Sequence, residues 1–325
     1  MNKLRITATV TEAMSFAWQN FGNLLRLGWV PILLVLLAYT GGRYFFLQSM
    51  GLDFLEIDFT DREAMTEFKQ SADWALSGTP GGWLLTFVLS IVTAFFLAPL
   101  YVVMFRYAID DVPLPRQIAH FTFGPRELRF AMASIILAIV GIIALFVFLA
   151  PSLFSGMKLF NGMPLEVWSL AETNPIVFEQ EVAKYVTEQS VATWLLPFFI
   201  SLLIGTLAYI WLMIRLSAFL PLVAIEDRLG LMRAFRMTKG NFWRILMAVL
   251  LLAIMIMLGL IAAILVLLVV VFIFMILISI LPGGIGMVVG AAIAIGGYVM
   301  FMAFIYGISI GFSSGIYGQL RDNAD

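Results

Sequence analysis

The chain has 325 residues, of which 62% are hydrophobic and 12% charged, with a formal net charge of −1. Soluble proteins carry about 25% charged residues, and the apolar runs here exceed the ~20 residues that cross a ~30 Å hydrocarbon layer. An ordinary water-soluble domain is excluded. We predict an all-α polytopic membrane protein, because continuous apolar runs fit helices and not the alternating strands of a barrel.

The first 26 residues read as an amphipathic helix in the inner membrane interface and not as a cleavable signal peptide. Thr9 and Glu12 have the spacing of a capping box, and Gly22-Asn23 predicts a tight bend into the first span. The predicted apolar face, directed toward the lipid, consists of Val10, Met14, Ala17, Phe21 and Leu25. We call this arrangement of interface helix, Gly-Asn corner, basic residue and span an elbow.

Apolar runs and helix breakers predict six transmembrane helices as three hairpins, with amphipathic interface helices preceding hairpins. The predicted spans are Leu27–Phe46, Trp83–Tyr107, Glu127–Ala150, Trp194–Ala224, Phe242–Ala262 and Gly286–Tyr317. The single membrane domain 1–325 then comprises a first elbow and hairpin (1–110, outer loop about 47–82), a second hairpin (111–225, outer loop about 151–192) and a third elbow and hairpin (226–325).

Charge predicts the orientation. Of the 19 Lys and Arg residues, 14 fall on the side that holds both termini. By the positive-inside rule that side is the cytoplasm, so we expect a multi-pass protein of the bacterial inner (plasma) membrane with both termini cytoplasmic. Helix formers in both outer loops predict that these loops are partly helical.

A second elbow centres on Gly240-Asn241, and a weaker copy on Gly124-Pro125, which indicates an internal repeat. Basic and tryptophan side chains gather at the inner ends of the spans, where they suit anionic headgroups and the membrane interface. The candidates for lipid-headgroup or interface contact are Arg26, Trp29, Arg233, Arg236, Lys239, Trp243 and Arg244.

Small residues recur every four positions in the last span, a spacing that lets helices approach closely. The helix-packing candidates are Gly286, Gly290, Gly307, Gly311 and Gly315. They predict either packing within one chain or a contact with a second chain.

The predicted spans contain no central Asp, Glu, Lys or His, which disfavours a proton-coupled transporter or an embedded hydrolase. His120 is the only histidine and cysteine is absent, so we expect no metal site; no P-loop occurs. We therefore predict no catalytic residue and no cofactor. Pro99, Pro197, Gly205 and Pro221 interrupt spans 2 and 4. Broken helices can line a site, and the cavity candidates are Arg106, Arg215 and Glu226.

The third hairpin contains 37 residues without charge, from Ile245 to Leu281. As one straight helix this run would be about 55 Å long, more than tilting absorbs. We expect the helix to break after about Gly259 or to pack over the bundle or against a partner. Val266–Ile280 is the predicted partner-contact surface.

Residues 221–252, with "AIEDR" and "AFRMTKGNFWRIL", resemble a group of poorly characterised bacterial six-span inner-membrane proteins. This family includes the membrane domain attached to some glycerophosphoryl diester phosphodiesterases. The resemblance implies the six-span fold and supplies no activity.

Two functions remain open, and a membrane enzyme is a distant third. One is a non-enzymatic integral membrane protein that acts as a scaffold, accessory subunit or lipid-organising element. The other is a carrier or lipid-handling transporter with a cavity between the hairpins. Expected partners are membrane lipids, anionic on the cytoplasmic side, and a protein partner or second copy through the third hairpin; no nucleic acid is expected.

Overall fold

Helices make up the regular structure of the chain. The structure, a computed structural model, describes residues 3–53, 61–118, 120–161, 191–280 and 283–321, together with 177, 180–182 and 184. These residues form helices and no strands, which confirms the predicted all-α class. The helices are α1 (Ile6–Gln19), α2 (Phe21–Ser49), α3 (Arg62–Ser77), α4 (Pro80–Asp110), α5 (Pro125–Asn161), α6 (Val191–Arg215), α7 (Phe219–Glu226), α8 (Leu231–Met237), α9 (Phe242–Ile280) and α10 (Gly283–Leu320).

Six helical stretches in the described part of the chain are long and apolar enough to cross a membrane, which confirms a multi-pass membrane protein. They are Phe21–Ser49, Pro80–Asp110, Pro125–Ser152, Leu196–Glu226, Phe242–Ile261 and Val289–Leu320. Each overlaps one predicted span. The pairing of these helices into three hairpins stays a prediction.

The chain divides into two compact units, Met1–Ile135 with Leu216–Asp325, and Ile136–Arg215. The first, larger unit has its core between α2, α4 and α10, where Leu27, Leu100 and Ile310 are buried. An aromatic group continues this core: Tyr101 stacks on Phe130 and meets Tyr306 edge-on, each with 5.8 Å between ring centroids.

The second, smaller unit contains parts of α5 and α6, which approach closely at a glycine. A Cβ atom on Gly205 would overlap the backbone of Phe148, so only glycine fits there. A cleft of about 330 Å³ beside it is lined by Pro151, Ser201 and Ile204, among others.

Prolines inside the spans have different effects. Pro99 and Pro197 lie within the continuous helices α4 and α6. The break in the fourth span lies at residues 216–218, just before Pro221. A proline ring clashes with the carbonyl four residues earlier, here that of Ser217, and it has no N–H to donate to that carbonyl. The helix therefore ends at Arg215 and restarts as α7.

The apolar face of α1 packs against α10 and does not face the lipid, so this expectation was wrong. The buried side chains are those of Thr9, Val10, Ala13 and Ala17. A Cβ atom on Gly311 would lie 3.0 Å from the Ala13 Cα, and one on Gly307 would lie 3.1 Å from the Ala17 Cα. One on Gly315 would lie 4.0 Å from the Thr9 Cα. The two helices therefore meet along an antiparallel seam of small residues.

The first corner differs from its prediction in two respects. The chain turns at Asn20, whereas Gly22 and Asn23 lie within α2. The predicted capping box is also wrong, because α1 begins at Ile6 and Thr9 is buried inside the helix. The second corner is confirmed: Gly240 adopts a φ of +78°, which favours glycine, between α8 and α9.

At the middle copy of the elbow, residues 120–124 are not helical, and α5 begins at Pro125. The Glu127 side chain accepts a hydrogen bond from the Gly124 N–H at 2.9 Å, which is half of a capping box.

The predicted helix in the first outer loop is confirmed as α3, whose first N–H groups donate to the Asp61 side chain. Most of the second outer loop lies outside the described residues; those of its residues that are described, 151–161, 177, 180–182, 184 and 191–192, are helical.

The helix α9 does not break at Gly259, so the first of the two alternatives for this run is wrong. It continues from Phe242 to Ile280, 39 residues, or about 58 Å. The side-chain surroundings of Val266–Ile280 lie outside the described residues, so its role as a contact surface stays a prediction.

Candidate functional site

The Gly240-Asn241 corner binds the N-terminal segment. The buried Asn241 side chain accepts a hydrogen bond from the Leu4 N–H at 3.0 Å. The Arg244 guanidinium donates to the Leu4 carbonyl oxygen, also at 3.0 Å. Both backbone groups of the fully buried Leu4 are thereby satisfied. We call these three residues the N-terminal latch.

The end of α10 holds the start of α1. The Gln319 side chain accepts from the Arg5 N–H at 2.8 Å and donates to the Thr9 hydroxyl at 3.0 Å. The first N–H groups of a helix have no acceptor within that helix. No side chain at the start of α1 caps it, and the Gln319 side chain provides an acceptor for the Arg5 N–H.

Glu226, a predicted cavity residue, joins α7, α8 and α10. Its carboxylate forms an ion pair with Arg233 and accepts from the Tyr317 hydroxyl at 2.9 Å. Arg321 lies over the Tyr317 ring, 6.0 Å from its centroid, and 3.5 Å from Asp110 at the end of α4. Glu226 thus links helix ends and lines none of the clefts described below.

Asp227 forms a second charged group with the start of α5. It pairs with Arg129 and lies 3.8 Å from Arg126. Its φ of +54° places it in the left-handed region at the end of α7, a conformation that Asp tolerates better than most residues.

Two predicted headgroup residues contact a loop of the chain. The Arg26 guanidinium donates to the Pro115 carbonyl at 3.0 Å, and the Trp29 indole N–H to the Ile118 carbonyl at 3.2 Å. Arg233 and Arg244 are likewise engaged within the chain, with Glu226 and Leu4.

The other three headgroup candidates are exposed. Trp243 is 70% exposed, and Arg236 and Lys239 have no ion-pair partner among the described residues. Met232, one turn before Arg236, is 73% exposed. We call Met232, Arg236, Lys239 and Trp243 the basic surface.

The remaining candidates have different surroundings. Gly307, Gly311 and Gly315 contact α1, Gly290 is half-buried, and the surroundings of Gly286 lie outside the described residues. Arg106 is half-buried near the end of α4. Arg215, in the second unit, lies over the Trp211 ring, 6.0 Å from its centroid.

Three clefts in the described part of the first unit bear on these candidates. One of them, about 650 Å³, lies between α1 and α10 and reaches Ala108 and Ile109. A second, of about 440 Å³, shares Glu12 and Gln319 with it. A third, of about 180 Å³, lies in the core beside Tyr101. Neither Arg106 nor Glu226 lines any of them.

The chain matches no family model, no curated protein and no solved structure. The resemblance to the six-span family therefore stays a prediction.

Sequence reasoning missed the partners of these groups. It did not identify Leu4, Asp227, Tyr317 or Gln319 as site residues. An Asn directly before a helix, as at Asn241, indicates a cap, but nothing in the sequence indicates that its side-chain oxygen accepts from a backbone N–H 237 residues away.

Proposed function

We propose that this chain is a non-enzymatic integral protein of the bacterial inner membrane, with both termini cytoplasmic, that serves as a scaffold or accessory subunit and organises lipids. The basic surface is the observation that carries the proposal. It combines exposed cations with exposed apolar side chains at the corner before α9. Such surfaces bind the headgroup region of membranes.

Anionic lipids suit this surface best. Arg236 and Lys239 are three residues apart, and each basic group near an anionic leaflet contributes about 1 kcal/mol. Met232 and Trp243 add apolar area at headgroup depth. Some other basic residues on the predicted cytoplasmic side, such as Arg129 and Arg233, already form ion pairs with carboxylates of the chain.

The carrier alternative has weaker support. The core cleft of the first unit, about 180 Å³, is smaller than the ~300–1,000 Å³ of typical ligand sites, whereas the cleft of about 330 Å³ in the second unit lies at the lower end of that range. The predicted cavity residue Glu226 connects helices instead of lining a cleft.

A protein partner or a second copy at the third hairpin remains part of the proposal. In α10, residues 291–297 are exposed on every side, although the stretch is apolar. A partner helix would cover such a stretch as readily as lipid would.

The test compares lipid retention by native mass spectrometry. We expect R236Q/K239Q to retain less phosphatidylglycerol than the original chain, with no change in thermal stability. The matched control is R62Q/K69Q, which removes two exposed cations from α3. Equal retention by both double variants contradicts the proposed lipid contact, and co-purified proteins from the host would identify a partner.

A further inference from the structure

The cleft between α1 and α10 is lined by polar side chains that the proposed function does not involve. Glu12 lies on its wall, and no described residue forms an ion pair or hydrogen bond with the Glu12 carboxylate. The carboxylate lies over Gly315, because a Cβ atom there would be 3.6 Å from Glu12 Oε2.

The groups around Glu12 offer hydrogen-bond acceptors to the cleft. The Thr11 hydroxyl donates its hydrogen to the Thr7 carbonyl at 2.9 Å, and the Ser314 hydroxyl donates to the Gly311 carbonyl at 3.0 Å. Each hydroxyl has one hydrogen, so only lone pairs remain for a ligand. An ionised carboxylate also only accepts. This part of the cleft therefore suits a cation that carries several N–H groups.

The adjoining cleft supplies the opposite charge. Lys3 and Arg5 line it together with Glu12, and neither cation has an ion-pair partner in the described part of the chain. Ala8 and Glu12 lie one turn apart on the same face of α1, and Arg5 is the N-cap residue just before this helix. Glu12 lies seven positions after Arg5, a distance along the helix axis of about 10 Å.

The position of the cleft indicates that its ligand comes from the lipid bilayer. Ala108 and Ile109 belong to the last turn of α4, and Gly318 and Gln319 to the last turn of α10. Both helices are long and apolar enough to span the membrane, so their ends lie at headgroup depth.

We propose that this cleft binds the headgroup of an aminophospholipid, with the ammonium at Glu12 and the phosphate at Lys3 and Arg5. A phosphoethanolamine headgroup has both charges and three N–H donors. A choline headgroup has no N–H to donate, and a glycerol headgroup has no cation. This inference rests on the proposed function in taking its ligand from the bilayer.

The test uses the full chain in detergent and three lipids with identical acyl chains. Native mass spectrometry would measure the retention of phosphatidylethanolamine, phosphatidylcholine and phosphatidylglycerol. We expect phosphatidylethanolamine to bind best, and E12Q to weaken it about tenfold, as the loss of a charge-assisted hydrogen bond does. E12Q should leave phosphatidylcholine unchanged. The control is E67Q, the same change at an exposed residue of α3.

A second variant separates ligand loss from misfolding. No atom lies within 4 Å of a Cβ built on Gly318, so G318L should fill the cleft without disturbing the packing. We expect G318L to lose phosphatidylethanolamine and to keep its thermal stability.

Two results would overturn the inference. One is phosphatidylethanolamine retention unchanged in a folded E12Q variant. The other is free phosphoethanolamine that binds as tightly as the lipid, which would assign the cleft to a soluble ligand. Loss of phosphatidylglycerol in R236Q/K239Q is measured separately, so either proposal can fail while the other stands.

Discussion

At the residue scale, side chains at the helix ends bind the backbone and charges of distant segments. Asn241 and Arg244 form hydrogen bonds with the backbone N–H and carbonyl groups of Leu4. Glu226 binds the guanidinium of Arg233 and the hydroxyl group of Tyr317. A buried polar group without a partner costs about 1–3 kcal/mol, so each of these contacts stabilises one arrangement of the chain over others.

We expect N241A to destabilise the chain by about 1–3 kcal/mol, because the buried Leu4 N–H loses its acceptor. Thermal unfolding in detergent would measure the loss, and limited proteolysis would show whether the N-terminal segment is released. The matched control is N23A, which makes the same change at the Gly-Asn pair inside α2. Equal stability of the two variants would contradict the N-terminal latch.

We expect Y317F to cost about 1.5–3 kcal/mol, since it removes a hydrogen bond to a charged group in a fully buried position. Y44F, at a half-buried tyrosine of α2 in contact with Phe45, is the control. A Y317F variant as stable as Y44F would show that the Glu226–Tyr317 contact contributes nothing.

The local Gly-Asn sequence pattern predicted the corner before α9 correctly, but it misplaced the corner between α1 and α2. The tight turn before α9 requires a residue with a positive φ, and Gly240 supplies it. Gly22-Asn23 has the same letters, yet the helix continues through both residues, because the packing of α1 on α10 sets where the chain turns. The Leu4 contacts could not be predicted either, since they depend on backbone groups that any residue has.

At the element scale, the glycine stripe of α10 determines where α1 lies. Gly307, Gly311 and Gly315 meet Ala17, Ala13 and Thr9 in antiparallel order. Small residues at this spacing allow close backbone approach, so α1 contacts a spanning helix and its polar face is left for the cleft. The sequence predicted both the amphipathic helix and the stripe, but not that each is the other's partner.

We expect G311A to destabilise the contact between α1 and α10. The added Cβ would lie 2.9 Å from the Phe16 Cβ and 3.0 Å from the Ala13 Cα, so the helices must move apart. Overpacking of this kind costs about 1–3 kcal/mol. G318A meets nothing within 4 Å and should be neutral or stabilising by up to about 1 kcal/mol, the helix preference of alanine over glycine. Thermal unfolding of both variants would check this, and a G311A variant as stable as G318A would contradict the seam.

At the scale of the whole molecule, the length of the apolar runs predicts where the spans lie in the sequence. Their orientation in the membrane is predicted from the distribution of charged residues alone. Six crossings of the membrane, which the six long apolar helices predict, would place both termini on one side. The paired charges at Glu226, Asp227 and Arg321 all lie at helix ends that the charge count assigns to the cytoplasm.

The orientation can be tested by labelling, because the sequence has no cysteine and each single-cysteine variant has no background. Ser77, Arg116 and Arg228 are exposed and lie between different spans. One span separates Ser77 from Arg116, and two separate Arg116 from Arg228. A membrane-impermeant maleimide should therefore label S77C in intact spheroplasts, and R116C and R228C only after permeabilisation. Labelling of S77C and R228C from the same side would contradict the six-span topology, and with it the cytoplasmic position of the basic surface and of the cleft between α1 and α10.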